Sequence, residues 1–139
     1  MAALLALLAV LAAVGVGVAW RRGDGTTKRG SGERIRPAEV ALEDDAFGPR
    51  GTLLLFTADH DVRSVPVREA LQQAAAGHPG IRIAEVDLGR RGDLAGRYAV
   101  TTLPTVFVLD GEGRLRFRMK GAPRHTDVLD ALESVAPPA

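Results

Sequence analysis

The sequence predicts an α/β domain with a mixed central sheet and helices on both faces, preceded by one transmembrane segment. Three observations carry that expectation. Short apolar runs alternate with stretches of helical spacing from residue 52 onward. The last two apolar runs are separated by Asp110-Gly111-Glu112-Gly113, a hairpin turn. Residues 2–20 contain no charged side chain, and 19 helical residues span roughly 28 Å, the hydrocarbon thickness of a bilayer.

Each element follows from its local pattern. Trp20 closes the apolar run and Arg21-Arg22 follow it, an interfacial aromatic and a charged stop. A secretory signal would want a positive n-region, and none lies between Met1 and Ala2. Residues 21–36 carry six cations (Arg21, Arg22, Lys28, Arg29, Arg34, Arg36) against Asp24 and Glu33, so the positive-inside rule places everything after residue 21 in the cytoplasm. Rich in Gly, Ser, Thr and charge, with no apolar period, residues 21–37 read as a flexible basic tether. Pro37 opens a short helix whose weak apolar face is Ala38, Val40, Ala41 and Leu42. The domain proper is expected over residues 38–136.

Residues 52–57 (TLLLFT) form an apolar run of strand length. Residues 65–76 carry Val67, Leu71, Ala74 and Ala75 at helical spacing and stop at Gly77-His78-Pro79-Gly80. Residues 81–88 (IRIAEVDL) alternate as a strand, and residues 92–98 make a short helix with Leu94, Ala95 and Tyr98 inward. Two strands follow at 105–109 and 115–119, the second with Arg114, Arg116 and Arg118 on its outer face, as suits an edge strand. Residues 126–135 end the domain as an amphipathic helix. Strands that alternate with helices argue for parallel pairing, and the closing hairpin must be antiparallel.

Composition excludes several functions. A formal net charge of +1, from 18 Lys+Arg and 17 Asp+Glu, gives no basic excess for nucleic acid. The absence of cysteine rules out disulfides, thiol catalysis, thiolate-zinc and Fe–S sites. No cofactor is expected. Asp59, His60 and Asp61 are adjacent in sequence and poorly placed to converge on a metal. Asp61, His60 and Ser64 sit too close along the chain for a hydrolase relay.

The β-α-β-α-β-β-α order, together with Tyr98-Ala99-Val100-Thr101-Thr102-Leu103-Pro104-Thr105 and Gly121-Ala122 before the last helix, resembles the thioredoxin family over residues 48–136. The anchor-plus-tether layout is similar to bacterial membrane-tethered thioredoxin-like proteins. The resemblance implies a thioredoxin-like fold with a cis peptide before Pro104, leaving the backbone of Leu103 as an edge for an extended peptide. It also implies a redox Cys-x-x-Cys at Asp61-Val62-Arg63-Ser64, where both cysteine positions, Asp61 and Ser64, are degenerate. A serine hydroxyl cannot exchange disulfides, whereas an aspartate before a helix is capping chemistry. Leu55 replaces the family's buried acid, and His60 its Trp.

No catalytic residue is therefore expected. The candidate binding residues are Leu103, Pro104, His60, Asp61 and Arg63. The expected role is a membrane-anchored module that binds a protein partner or an extended peptide. The alternative is an auxiliary member of a thiol-disulfide oxidoreductase system.

Overall fold

The computed structural model describes residues 26–59 and 61–137; the apolar segment 2–20 and His60 lie outside the described residues. Among the described residues no helix is long and apolar enough to cross a membrane. The elements run β1 (Thr26–Arg29), a 3₁₀ turn (Pro37–Val40), β2 (Gly51–Thr57), α1 (Ser64–Ala76), β3 (Ile81–Asp87), α2 (Gly92–Arg97), β4 (Thr105–Asp110), β5 (Leu115–Lys120) and α3 (His125–Val135).

One five-stranded sheet, ordered β1-β5-β4-β2-β3, organises the domain. β2 and β3 are parallel, as the intervening helix requires. β4 also follows a helix, yet it pairs antiparallel with β2. The expected parallel pairing therefore holds for the first two strands only. All seven residues of β2 are buried, because helices or loops cover both of its faces. Its side chains alternate between two cores. Leu53 and Leu55 point to the side of α1 and α3, with Val67, Leu71, Val106, Val108, Val128 and Leu132. Leu54 and Phe56 point to the other side, with Val86, Leu94, Tyr98, Phe107 and Leu109. There the Phe56 and Phe107 rings meet edge to face at 4.7 Å.

The stretch read as a tether is largely structured. β1 lies antiparallel to β5, with Thr26 opposite Lys120 and Arg29 opposite Phe117. Ile35 is only 2% exposed, and its N–H donates to Gly113 O at 2.9 Å. Gly113 has φ +80°, and a Cβ there would lie 2.6 Å from Ile35 O, so the hairpin glycine is what admits the segment. Val40 is buried on the same core, with Leu42, Ala46 and Phe47 packed against it. The short α2 leaves much of this sheet face open, and residues 35–47 cover it. β5 is consequently an interior strand; the sheet edges are β1 and β3.

Candidate functional site

β2 ends at Thr57, and the chain turns through residues 58–63 before α1 begins at Ser64. Asp61 holds this turn together without capping the helix. Its Oδ1 accepts the Arg63 N–H at 3.0 Å, and its two carboxylate oxygens accept Arg63 Nε and Nη2 at 3.0 and 3.1 Å. The side-chain hydrogen bond from Arg63 holds the Asp61 carboxyl below its ordinary value, against the opposing effect of desolvation. The N-cap position is Arg63, and no side chain caps α1. The expected capping role of Asp61 is thus corrected to an Asx-type turn three residues earlier, because the helix starts at Ser64.

That geometry closes the helix N-terminus. The Ser64 N–H donates to Asp61 O at 3.0 Å and the Val65 N–H to Val62 O at 3.3 Å. Pro66 has no N–H to offer. The first three helical positions therefore present no free backbone donor to a ligand. Ser64, at the second degenerate position, is 2% exposed, and its Oγ has no hydrogen-bond partner among the described residues. Leu55 is fully buried in the α1/α3 core. Position 64 carries no thiol for disulfide exchange and position 55 no acid.

Beside this turn is a cleft of about 540 Å³ lined by Thr57, Asp59, Asp61, Val62, Ser64, Val65, Arg68, Glu85 and Asp87, among others. Arg68 Nε donates to Glu85 Oε2 at 3.0 Å, and Arg68 Nη2 pairs with Glu85 Oε1. A side-chain hydrogen bond with Asp59 holds the Asp87 carboxyl below its ordinary value. Asp87 also accepts the Gly89 N–H at 2.8 Å and lies 3.6 Å from Arg90. Glu85 and Asp87 are thus each paired with an arginine. Among the described residues no group of three or more His, Cys, Asp or Glu side chains is placed to hold a metal. No local pattern singles out Arg68, Glu85 or Asp87, since nothing local links a helix residue to one 17 positions later.

The Leu103–Pro104 peptide is cis. Pro104 is buried, and its carbonyl accepts the Gly121 N–H at 2.9 Å. Thr105 Oγ1 donates to Thr102 O at 2.5 Å, closing the turn into β4. Leu103 is half-buried against Phe56 and its core neighbours, and its own N–H and C=O make no hydrogen bond among the described residues. Of the candidate binding residues that are described, Asp61 lines the cleft, and Arg63, Leu103 and Pro104 do not; His60 lies outside the described residues.

The arginine row on β5 is spoken for internally. Arg114 reaches Glu112 and Gly32 O, and Arg116 reaches Asp110 at 2.7 Å. Arg118 lies 4.6 Å from the centre of the Phe107 ring and donates to Tyr98 O and Ala99 O. These side chains fasten the hairpin and the turn after α2; Arg114 and Arg116 remain exposed to solvent, but the strand they flank is not an edge strand.

No family model matches the chain, and no curated protein does. Solved structures do. A mutant thioredoxin from Halobacterium salinarum superposes with a TM-score of 0.55 at 19% identity, covering 65% of this chain and 78% of that one. Fasciola hepatica thioredoxin gives 0.53 at 20% identity, covering 63% and 83%. Mitochondrial thioredoxin 3 from Saccharomyces cerevisiae gives 0.53 at 20% identity, covering 61% and 78%. At such identities the likeness speaks for architecture alone. The fold is thioredoxin-like, and the chain that adopts it contains no cysteine.

Proposed function

We propose that this chain is a redox-inactive thioredoxin-fold module, anchored through residues 2–20 with its domain on the cytoplasmic side, that holds an extended segment of a protein partner at the Leu103–Pro104 turn. The observation that carries the reading is the backbone of Leu103. Its N–H and C=O are free of intramolecular bonds among the described residues, beside a proline fixed in the core. An extended peptide satisfies such groups by strand addition. The anchor is supported by the uncharged run 2–20, and the orientation by the six cations that follow it.

The test compares two variants of the full chain in a photo-crosslinking capture from cells, each first checked for native circular dichroism. Leu103→Asp places a charge on the contact and abolishes the crosslinked species. Gln72→Ala, on the exposed side of α1, leaves it unchanged. Equal capture by both variants overturns the assignment of the turn.

A further inference from the structure

Strand register brings three features to one end of the sheet. Thr26 pairs with Lys120, Lys120 with Thr105, and Thr105 with Phe56. This row crosses the sheet where β2 runs out into the 58–63 turn and where Leu103–Pro104 enters β4. Thr26 is also the first residue of β1, so the chain arriving from residues 2–20 joins the sheet at this same end. The opposite end holds the Gly51–Asp110 pair and the 110–113 hairpin.

Distances make the coincidence consequential. With about 4.8 Å between neighbouring strands, Thr26 lies about 10 Å from Thr105 and about 14 Å from Phe56. Trp20 precedes Thr26 by six residues, a reach of at most roughly 20 Å. The sheet is itself about 20 Å long from Gly51 to Thr57. The hairpin end could meet a bilayer holding residues 2–20 only if residues 21–25 were drawn straight along the whole length of the sheet. A second observation points the same way. The exposed large hydrophobic side chains among the described residues are Val62 (79%) and Val65 (48%), and both belong to this end.

We propose that this end of the domain is its bilayer-facing surface, with Val62 and Val65 against the lipid interface beside the anchor. The inference rests on the anchored reading of residues 2–20, and it narrows the partner. A segment taken up at Leu103–Pro104 is a membrane-proximal one, leaving the same bilayer as an extended strand. Cations and carboxylates are interspersed at this end: Arg63 is paired with Asp61 and Arg90 with Asp87. The contact assigned to Val62 and Val65 is an apolar one, so a neutral lipid suffices to test it.

The cysteine-free sequence makes the test direct. Val62→Cys and Glu112→Cys, each the single thiol of the full chain, are labelled with an environment-sensitive fluorophore and reconstituted into phosphatidylcholine vesicles containing a spin-labelled lipid. Both substitutions are at exposed positions. The proposal expects quenching several-fold stronger at position 62 than at position 112, with the chain floating with the vesicles. Flotation with equal quenching, or with stronger quenching at 112, overturns the orientation and leaves the anchor standing. A chain that does not float overturns the anchored reading, and the orientation with it.

Discussion

Replacing Ser64 with Ala removes a hydroxyl that the fold buries and that has no hydrogen-bond partner among the described residues. A buried polar group lacking a hydrogen bond costs about 1–3 kcal/mol of desolvation. The helical propensity of alanine adds a few tenths of a kcal/mol, and the lost dispersion contacts of one oxygen offset about as much. Ser64→Ala should therefore stabilise the domain by about 1 kcal/mol, which corresponds to about 4 °C in Tm for a domain of this size. Urea unfolding of the chain from residue 23 onward, followed by far-UV circular dichroism, reads the effect as a higher midpoint at unchanged slope. An unchanged or lower midpoint would refute the reasoning. The hydroxyl would then have a partner, such as a water held in the adjoining cleft, and position 64 would be a polar anchor.

Two further outcomes are expected from the same assay. Ile35→Ala should cost about 2–5 kcal/mol, since a fully enclosed side chain is cut back to a methyl group; a free tether at this position would give essentially no change. Asp110 is pulled up by burial, but the Arg114 backbone N–H, the Arg116 side chain and the Glu112 N–H outweigh this and hold its carboxyl below its ordinary value. Its contribution is complete above the ordinary carboxylate range and is lost as pH falls through the depressed native value. Asp110→Asn should therefore be destabilised at pH 7, with a gap to wild type that narrows on acidification; a gap constant with pH would contradict the assigned hydrogen bonds.

The elements that were legible in the sequence are those whose burial imposes a period. β2, β3 and β4 announce themselves through apolar runs or alternation, and α1 and α3 through a stripe ending at glycine or proline. β1 offers no such signal, because all four of its residues are exposed and its strand character comes from pairing with β5, some 90 residues later. Ile35 is a single apolar residue between two arginines, too short a pattern for any period to show. The candidate site divides the same way. Asp61 reads in the sequence as a helix cap, but which N–H it meets depends on where α1 begins, and that is three residues later. Ser64 carries no mark of burial in its identity. The Arg68–Glu85 pair exists only because β2 and β3 are parallel and bring α1 over the next strand.

The position of β1 has a consequence for how the protein keeps to itself. A sheet border offers a template to any other extended chain, and natural borders are short and charged. Here the border is Thr-Thr-Lys-Arg, four exposed residues ending in two cations, laid over a longer strand that carries Phe117 and Met119. Removing the segment before residue 30, by proteolysis or by an ill-chosen expression boundary, would uncover the backbone of β5 and invite self-association through strand exchange. The residues that lead into the domain from its N-terminal side thus also guard it against polymerisation.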